Sequence, residues 1–341
     1  ERFFLETGEY ISIAIKDNLF DTRKLDVTNK ELYDEIGIRF PPAIISTNSS
    51  LCEYNEYRIL FEESVEKGIL IQDHVLCAES EETLKQHDVT YKDLKWTFTT
   101  QLPSLWIDKK YINTLKKAKL KFWSPLEVPI LHVGDFLKRN AKNFLGVVEV
   151  RKILKSFKKS HPTIEGRLTR LIEQDSIMDI LKRLVEEEVS IKDLKRIFET
   201  IIKTIESVPD TVMLPPVLLT EYVRQAFQQQ FIQKYSDDIF KLSGYNVDKS
   251  IETTLRDGMI ITPDAIYFEI EVWVLNLIEQ HFAKICTLHK KEGKKSSFYV
   301  ICGFVHLSTN SLVLNFHMLW YIASELCDSR RVYIMGDIKI S

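Results

Sequence analysis

The sequence lacks the patterns that mark membrane spans, secretion signals and common catalytic sites. No apolar run reaches the roughly 18–20 residues that a bilayer-spanning helix needs. The opening residues, ERFFLETGEY, have neither the charged nor the apolar region of a signal peptide, and they resemble an internal point of a longer protein. There is no phosphate-binding loop, nucleophile elbow, HExxH helix or Rossmann glycine string, and 11 glycines in 341 residues are few for a nucleotide enzyme. We therefore expect a protein that is not an enzyme and needs no cofactor.

Cysteine and net charge are also low. Five cysteines are scattered along the chain, and an odd number favours reduced thiols in a cytoplasmic setting over a disulfide framework. The formal net charge of −3 gives no overall attraction to nucleic acid or to a membrane surface. With 45% hydrophobic and 28% charged residues, the composition is that of an ordinary globular protein. The length predicts roughly two to four domains.

The pattern of apolar residues predicts a mixed fold in several domains. Strand-like and helix-like segments alternate at the start, and the pair Pro41–Pro42 suits the edge or entry of a strand. A long helical region follows at about residues 132–235, and the final third returns to mixed segments. The fold class that this order favours is multidomain α+β or α/β.

The stretch LVEEEVSIKDLKRIFETI, residues 184–201, predicts two helices joined by a short turn. Ser190 and Asp193 have capping-box spacing, so a second helix is expected to begin there, with Ile191 and Leu194 on its apolar face. Glu186, Glu187 and Glu188 then lie at the end of the first helix. Consecutive helical side chains point about 100° apart, so the three carboxylates cannot converge on one ion. They are interpreted as a solvated helix end.

A DNA-binding helix-turn-helix is one alternative function. Lys192, Lys195, Arg196 and Lys203 would share the outward face of the second helix, where contacts to bases or phosphates would form. Residues 138–170 contain ten Lys or Arg against Glu149 and Glu165 only. Acidic Asp193 and Glu199 interrupt the basic face, and such a run is commonly only the wet side of a helix.

A zinc-dependent enzyme is a second alternative. Two residues lie between Cys286 and His289, and three lie between Cys302 and His306, which resembles zinc-ligand spacing. The second pair lies in a strand-like run, where positions four apart are about 13 Å distant. A buried Cys beside a satisfied His is the better interpretation, so no metal is expected.

Three blocks together carry a family resemblance. GIRFPPAIISTNSSLCEYNEYRILFEESVEKG, LKRNAKNFLGVVEVRKIL and ILKRLVEEEVSIKDLKRIFETI, the last followed by LLTEYVRQAFQQQFI, resemble in order and spacing the FlhA/SctV family. Members are export gates of flagellar and virulence type III secretion systems. The resemblance implies the cytoplasmic part of a bacterial inner-membrane protein that forms a nine-subunit ring. It would dock chaperone–substrate and gatekeeper complexes, contact other export-apparatus and ATPase-complex proteins, and bind no nucleic acid.

The resemblance also implies four subdomains. Residues 1–68 and 119–142 would form an α/β subdomain 1, with residues 69–118 inserted as a small α/β subdomain 2. Residues 143–228 would form an all-helical subdomain 3, and residues 229–341 an α/β subdomain 4.

The resemblance implies a partner-binding cleft, and charge complementarity suggests the contact between neighbouring subunits of the ring. Chaperones and gatekeepers would bind a cleft between the first two subdomains, at Thr97, Phe98, Thr100, Trp106, Leu126, Leu131 and Gly134. Thr97, Thr100 and Gly134 replace the Asp, Phe and Thr of flagellar members, which favours a virulence injectisome. In the ring, charge complementarity would join a basic face to the acidic helix end of a neighbour. The basic face is Arg151, Lys152, Lys155, Lys158 and Lys159, and the acidic end is Glu186, Glu187 and Glu188.

Overall fold

A computed structural model describes most of the first two thirds of the chain and a few later residues. The described residues are 3–77, 79, 81–92, 105–186, 189–209, 214–227, 257–261, 266–269, 271, 273 and 280. The chain divides into two compact units. Unit 1 contains Glu1–Gly146 and Val185–Asp193, and unit 2 contains Val147–Leu184 and Leu194–Ser341.

The first sheet of unit 1 has two inner strands, and each of them buries alternate side chains. Its strands are β1 (Phe3–Thr7), β2 (Ala43–Ser46), β3 (Glu56–Phe61) and β4 (Ser64–Ile69). Their order is β2-β1-β3-β4, with β1 parallel to β2 and the other pairs antiparallel. The helices are α1 (Glu9–Lys16), α2 (Arg23–Ile36) and, later in the chain, α5 (Val128–Arg139). The ring of Phe136 on α5 stacks on that of Phe3 with centroids 6.0 Å apart, so α5 covers the buried face.

The second sheet of unit 1 is small and antiparallel. It contains β5 (His74–Cys77), β6 (Tyr91–Lys92), β7 (Leu105–Asp108) and β8 (Phe122–Trp123), in the order β6-β7-β5-β8. Two short helices, α3 (Glu81–Gln86) and α4 (Ile112–Lys117), complete it. The core includes Val75, Leu84, Ile107 and Leu115. Because β8 pairs with β5, the second sheet extends to Trp123.

The described part of unit 2 up to residue 227 is helical. Its helices are α6 (Val147–Ser160), α7 (Pro162–Leu171), α8 (Gln174–Glu186, whose last residues belong to unit 1), α9 (Leu194–Glu206) and α10 (Pro216–Ala226). Pro162 and Pro216 are the first residues of their helices, where a missing N–H costs nothing. Ile197, Phe198 and Ile201 form the buried stripe of α9. Further on, β9 (Met259–Ile261) pairs with β10 (Ile266–Phe268). The predicted multidomain α+β class is confirmed, and the four-subdomain boundaries remain a prediction.

The joint between α8 and α9 differs from the predicted helical hairpin. The second helix begins at Leu194 rather than at Ser190, and Ile191 is buried in unit 1. The backbone N–H of Ile191 donates to the carbonyl of Ile36 over 2.8 Å, at the end of α2. Helix α2 ends at Ile36 because Gly37 adopts the left-handed conformation, with φ of 90°. A Cβ on Gly37 would lie 2.5 Å from the backbone nitrogen of Lys192, so only glycine allows this close approach.

None of the described helices is long and apolar enough to cross a membrane.

Candidate functional site

Three of the predicted cleft residues lie on α5 or on the turn that leads into it. Leu126 is on a single 3-10 turn, Pro125–Glu127, whose start is fixed by a capping box between Ser124 and Glu127. Leu131 and Gly134 are neighbours on one face of α5, and all three are partly exposed. A Cβ on Gly134 would lie 3.0 Å from the methyl group of Thr28, so this glycine allows α2 and α5 to pack closely.

The other predicted cleft residues divide into two groups. Trp106 on β7 has no exposed surface, so its ring belongs to the core of unit 1 and offers no contact area to a partner. Trp106 is therefore not one of the residues that a partner could contact in the cleft. Thr97, Phe98 and Thr100 lie outside the described residues.

The basic face proposed for the ring is a continuous exposed side of α6. All five of its cations are exposed: Arg151, Lys152, Lys155, Lys158 and Lys159. Lys152 pairs with Glu149 at 3.6 Å, and Lys158 pairs with the buried Glu165 of α7 at 3.2 Å. Over the residues that the structure describes, Arg151 and Lys155 have no ion-pair partner. These two cations are therefore available to a carboxylate from elsewhere.

A groove runs beside this basic face. It has a volume of about 450 Å³ and is walled by α6, α7 and the start of α8. Leu154 and Ile172 supply its apolar part. Its charged lining residues are Arg151, Lys155 and Lys158, which are positive, and Glu165 and Glu173, which are negative. The groove can accept a side chain that is acidic or partly apolar.

Of the three glutamates proposed for the ring contact, the structure describes only Glu186. The side chain of Glu186 pairs with Lys142 within unit 1. Glu187 and Glu188 lie outside the described residues.

The contacts of the second predicted helix weigh against the DNA-binding alternative. Lys192 precedes α9 and donates to Asp34 over 2.6 Å. Arg196 donates to the carbonyl of Ala226, and its guanidinium lies 4.9 Å from the centre of the Phe227 ring. Two of the cations that would read DNA are thus held by contacts within the chain.

Metal ligands are not clustered in the part of the chain that the structure describes. No three His, Cys, Asp or Glu side chains there could hold one ion. Both Cys–His pairs of the zinc alternative lie outside the described residues.

A buried polar network joins β3 and β4 to α5, and the sequence interpretation missed it. His132, only 1% exposed, lies 3.0 Å from the Tyr57 hydroxyl through Nδ1 and 2.8 Å from Glu66 through Nε2. Arg139 donates two bonds to the Glu66 carboxylate, over 2.8 and 2.7 Å, and a third to Asp135 over 2.6 Å. The sequence did contain one signal for this network. His132, Asp135 and Arg139 recur at helical spacing, so they share one face of a helix that otherwise packs on a sheet.

The network sets the protonation of its members. Burial opposes ionisation of Glu66, but hydrogen bonds from His132 and Arg139 outweigh it and lower the pKa of Glu66 from 4.5 to about 2. Burial, reinforced by the charge of Glu66, raises the pKa of Tyr57 well above its ordinary value, so the Tyr57 hydroxyl keeps its proton. The Tyr57 hydroxyl can then donate to Nδ1 of His132, and Nε2 of His132 can donate to Glu66. Within unit 1 the network links β3, β4 and α5 by side-chain hydrogen bonds.

Comparison with known proteins gives one family for most of the chain. The profile of the FHIPEP family matches residues 9–304. Low calcium response locus protein D of Yersinia pestis is 27% identical over 285 residues, which is 83% of this chain and 39% of that protein. The chain therefore spans about two fifths of the length of this curated relative.

Solved structures resemble the chain over most of its length. The Chlamydia pneumoniae CdsV protein in its complex with CdsO is 31% identical, with a TM-score of 0.72 over 84% of this chain and 82% of that one. The nonameric SctV-C of EPEC is 24% identical, with a TM-score of 0.63 over 82% of both chains, which shows a shared fold.

Proposed function

The chain belongs to the FHIPEP family of type III secretion export gates, and we propose that it is the cytoplasmic, ring-forming domain of such a gate. In this role it docks chaperone–substrate and gatekeeper complexes at the cytoplasmic face of the bacterial inner membrane and passes cargo to the export channel. The observation that carries the proposal is the family match over residues 9–304 together with the CdsV similarity over 84% of the chain. The similarity to low calcium response locus protein D and to CdsV supports an injectisome.

The surfaces described above suit docking better than catalysis. The partly exposed Leu131 and Gly134 form a small apolar area on a helix that the Glu66 network holds to the sheet. Apolar side chains on a rigid helix are suitable anchors for a partner protein. Thr97, Phe98 and Thr100 remain in the proposed cleft on the strength of the resemblance.

Changing the cleft is expected to weaken cargo docking. Leu126→Gln combined with Leu131→Gln removes two apolar contacts, so affinity for a chaperone–substrate complex of the same secretion system should fall about tenfold. Surface plasmon resonance with the immobilised chain measures the affinity. Leu19→Gln is the control, because Leu19 is 69% exposed and lies outside the cleft. Unchanged binding by a double variant that melts like the wild type would remove this cleft from the proposal.

We propose further that the ring is held in part by α6 of one copy and residues 186–188 of the next. The solved SctV-C of EPEC is nonameric, and a heterologous contact of this kind closes into a ring. Arg151, Lys155 and Lys159 are the cations on α6 that lack a described ion-pair partner, and Arg151 and Lys155 also line the groove. Exposed pairs contribute only about 0–1 kcal/mol each, so the assembly should weaken as salt rises.

Reversing this charge is expected to abolish ring formation. Arg151→Glu with Lys155→Glu places carboxylates opposite carboxylates, and rings seen by mass photometry at low salt should be lost. Glu187→Lys with Glu188→Lys, added to the first pair, should restore them. Lys30→Glu with Lys203→Glu, which changes net charge equally, is the control. If the isolated chain stays monomeric, the full-length protein is used. Rings that survive the first reversal contradict the interface.

A further inference from the structure

A group of exposed lysines lies where α4 ends and β8 begins. Residues 109–121 contain six lysines and no acidic residue, in a chain whose formal net charge is −3. Four of them fall within six consecutive residues and are exposed. We call these four the lysine patch: Lys116, Lys117, Lys119 and Lys121.

The patch is not neutralised within the described structure. Lys116, Lys117 and Lys119 have no ion-pair partner among the residues described, and Lys121 lies over the ring of Trp123 at 5.1 Å. Among the other lysines of unit 1, Lys24 pairs with Glu127 and Lys138 with Glu35, whereas Lys16, Lys30 and Lys67 also have no described ion-pair partner. The dipole of a helix favours cations in its last turn only, so it does not explain Lys119 and Lys121.

The backbone of Lys119 is in the left-handed conformation, which is strained for a residue other than glycine. Leu120 donates to the carbonyl of Leu115 over 3.0 Å and Lys119 to that of Lys116 over 3.1 Å, which is a Schellman ending. Its left-handed position is occupied by Lys119, with φ of 55°. Glycine is usual there, and three of the other four described non-glycine residues with positive φ are Asn or Asp, which tolerate it. A lysine kept in this conformation points to a use for its charge.

We propose that the lysine patch, together with the partly exposed Phe122 and Trp123, docks an acidic polypeptide segment of a secretion partner. The proposal rests on the proposed docking function and adds the chemistry of the partner. The patch leads directly into the candidate cleft, because Leu126 follows Lys121 by five residues. The strand β8 also ends its sheet in the described strand order, so an extended acidic segment could pair alongside it.

Nucleic acid and lipid surfaces fit the patch less well. Proteins that bind duplex DNA commonly neutralise about 6–10 phosphates, and four lysines on a chain of net negative charge fall short of that. Insertion at a membrane surface needs an apolar face beside the cations. The helix α4 is six residues long and directs Leu115 into the core, so it presents no such face.

The direct test uses a fluorescent peptide rich in glutamate and leucine and a matched peptide with glutamine in place of glutamate. The chain should bind the acidic peptide, and Lys116→Glu with Lys117→Glu and Lys121→Glu should weaken binding about tenfold by fluorescence anisotropy. The control variant carries Lys16→Glu, Lys30→Glu and Lys67→Glu. It makes the same change in net charge outside the patch and should retain most of the affinity for the acidic peptide. Equal losses in both triple variants, or equal binding of the glutamine peptide, would overturn the proposal.

A second variant separates a role in binding from a role in folding. Lys119→Gly relieves the left-handed backbone, so hydrogen exchange at the amides of α4 should slow while affinity for the acidic peptide falls about twofold. A variant with slower exchange in α4 that binds the peptide as well as the wild type would argue against a role for this charge.

Anionic phosphatidylglycerol vesicles and a short single-stranded RNA serve as competitors. Tighter binding of either than of the acidic peptide would replace the proposed partner. Binding of the acidic peptide alone, without any binding of a chaperone–substrate complex to the wild-type chain, would support the patch and count against the docking function. The reverse pattern, with cargo bound and the peptide ignored, would refute the patch alone.

Discussion

Replacing Gly68 with alanine is expected to destabilise unit 1 by about 3–4 kcal/mol. Gly68 on β4 lies opposite Tyr57 on β3, and a Cβ there would come within 2.2 Å of the tyrosine ring. The ring has no room to move aside, because Tyr57 is fully buried and its hydroxyl is bonded to His132. Alanine must therefore either displace β4 or break that hydrogen bond.

The control is a glycine that the structure leaves unconstrained. A Cβ on Gly166, inside α7, would meet nothing within 4 Å. Gly166→Ala should therefore stabilise its helix by up to about 1 kcal/mol. Since the chain has two units, global melting mixes their signals, and hydrogen exchange at the amides of β3 and α7 reports each separately. Unchanged exchange in β3 of Gly68→Ala would contradict the close contact.

Replacing Glu66 with glutamine is expected to destabilise the same unit by about 2–3 kcal/mol. The substitution keeps the shape of the side chain but removes the charge that Arg139 and His132 share. Breaking a buried pair costs about 3–5 kcal/mol, and the figure is reduced because the Glu66 side chain is 30% exposed. Glu63→Gln, at an exposed position in the same hairpin, is the control and should change stability by less than about 0.5 kcal/mol.

The same carboxylate gives the wild type a defined response to acid. The pKa of Glu66 is about 2 in the folded chain, below its ordinary 4.5, so the unfolded chain binds more protons between these values. The contribution of Glu66 is therefore complete above about pH 4.5 and is lost as pH falls towards 2. Stability measured by urea unfolding at several pH values should fall less steeply over that window in Glu66→Gln. Parallel profiles for variant and wild type would show that Glu66 is not the titrating group.

Local sequence patterns predicted the helices of unit 2 because each helix carries its own signals. Apolar residues such as Ile197, Phe198 and Ile201 recur at helical spacing, and prolines mark two of the starts. The start of α9 was predicted wrongly at Ser190 for a tertiary reason. Burial of Ile191 in unit 1, with a hydrogen bond to Ile36, outweighs a local capping box, and no window around residue 190 contains Ile36.

The candidate site was less predictable than the fold. Leu126, Leu131 and Gly134 were reached through the family resemblance, since a few apolar residues in a helical pattern are ordinarily core. Trp106 illustrates the difficulty, because an aromatic residue beside a proposed cleft is buried in the core. The Glu66–His132 contact joins residues on separate elements, so no sequence window around His132, Asp135 and Arg139 contains Glu66.

The position of residues 185–193 within unit 1 has a consequence for how the chain is made. A ribosome delivers α2, whose last carbonyl receives Ile191, long before it delivers Ile191 itself. All of α6 and α7 and most of α8 emerge in between, and they belong to unit 2. Unit 1 therefore cannot finish folding during synthesis before part of unit 2 has emerged. Its completion must wait for the first helices of unit 2, and the two folding processes are interleaved in time.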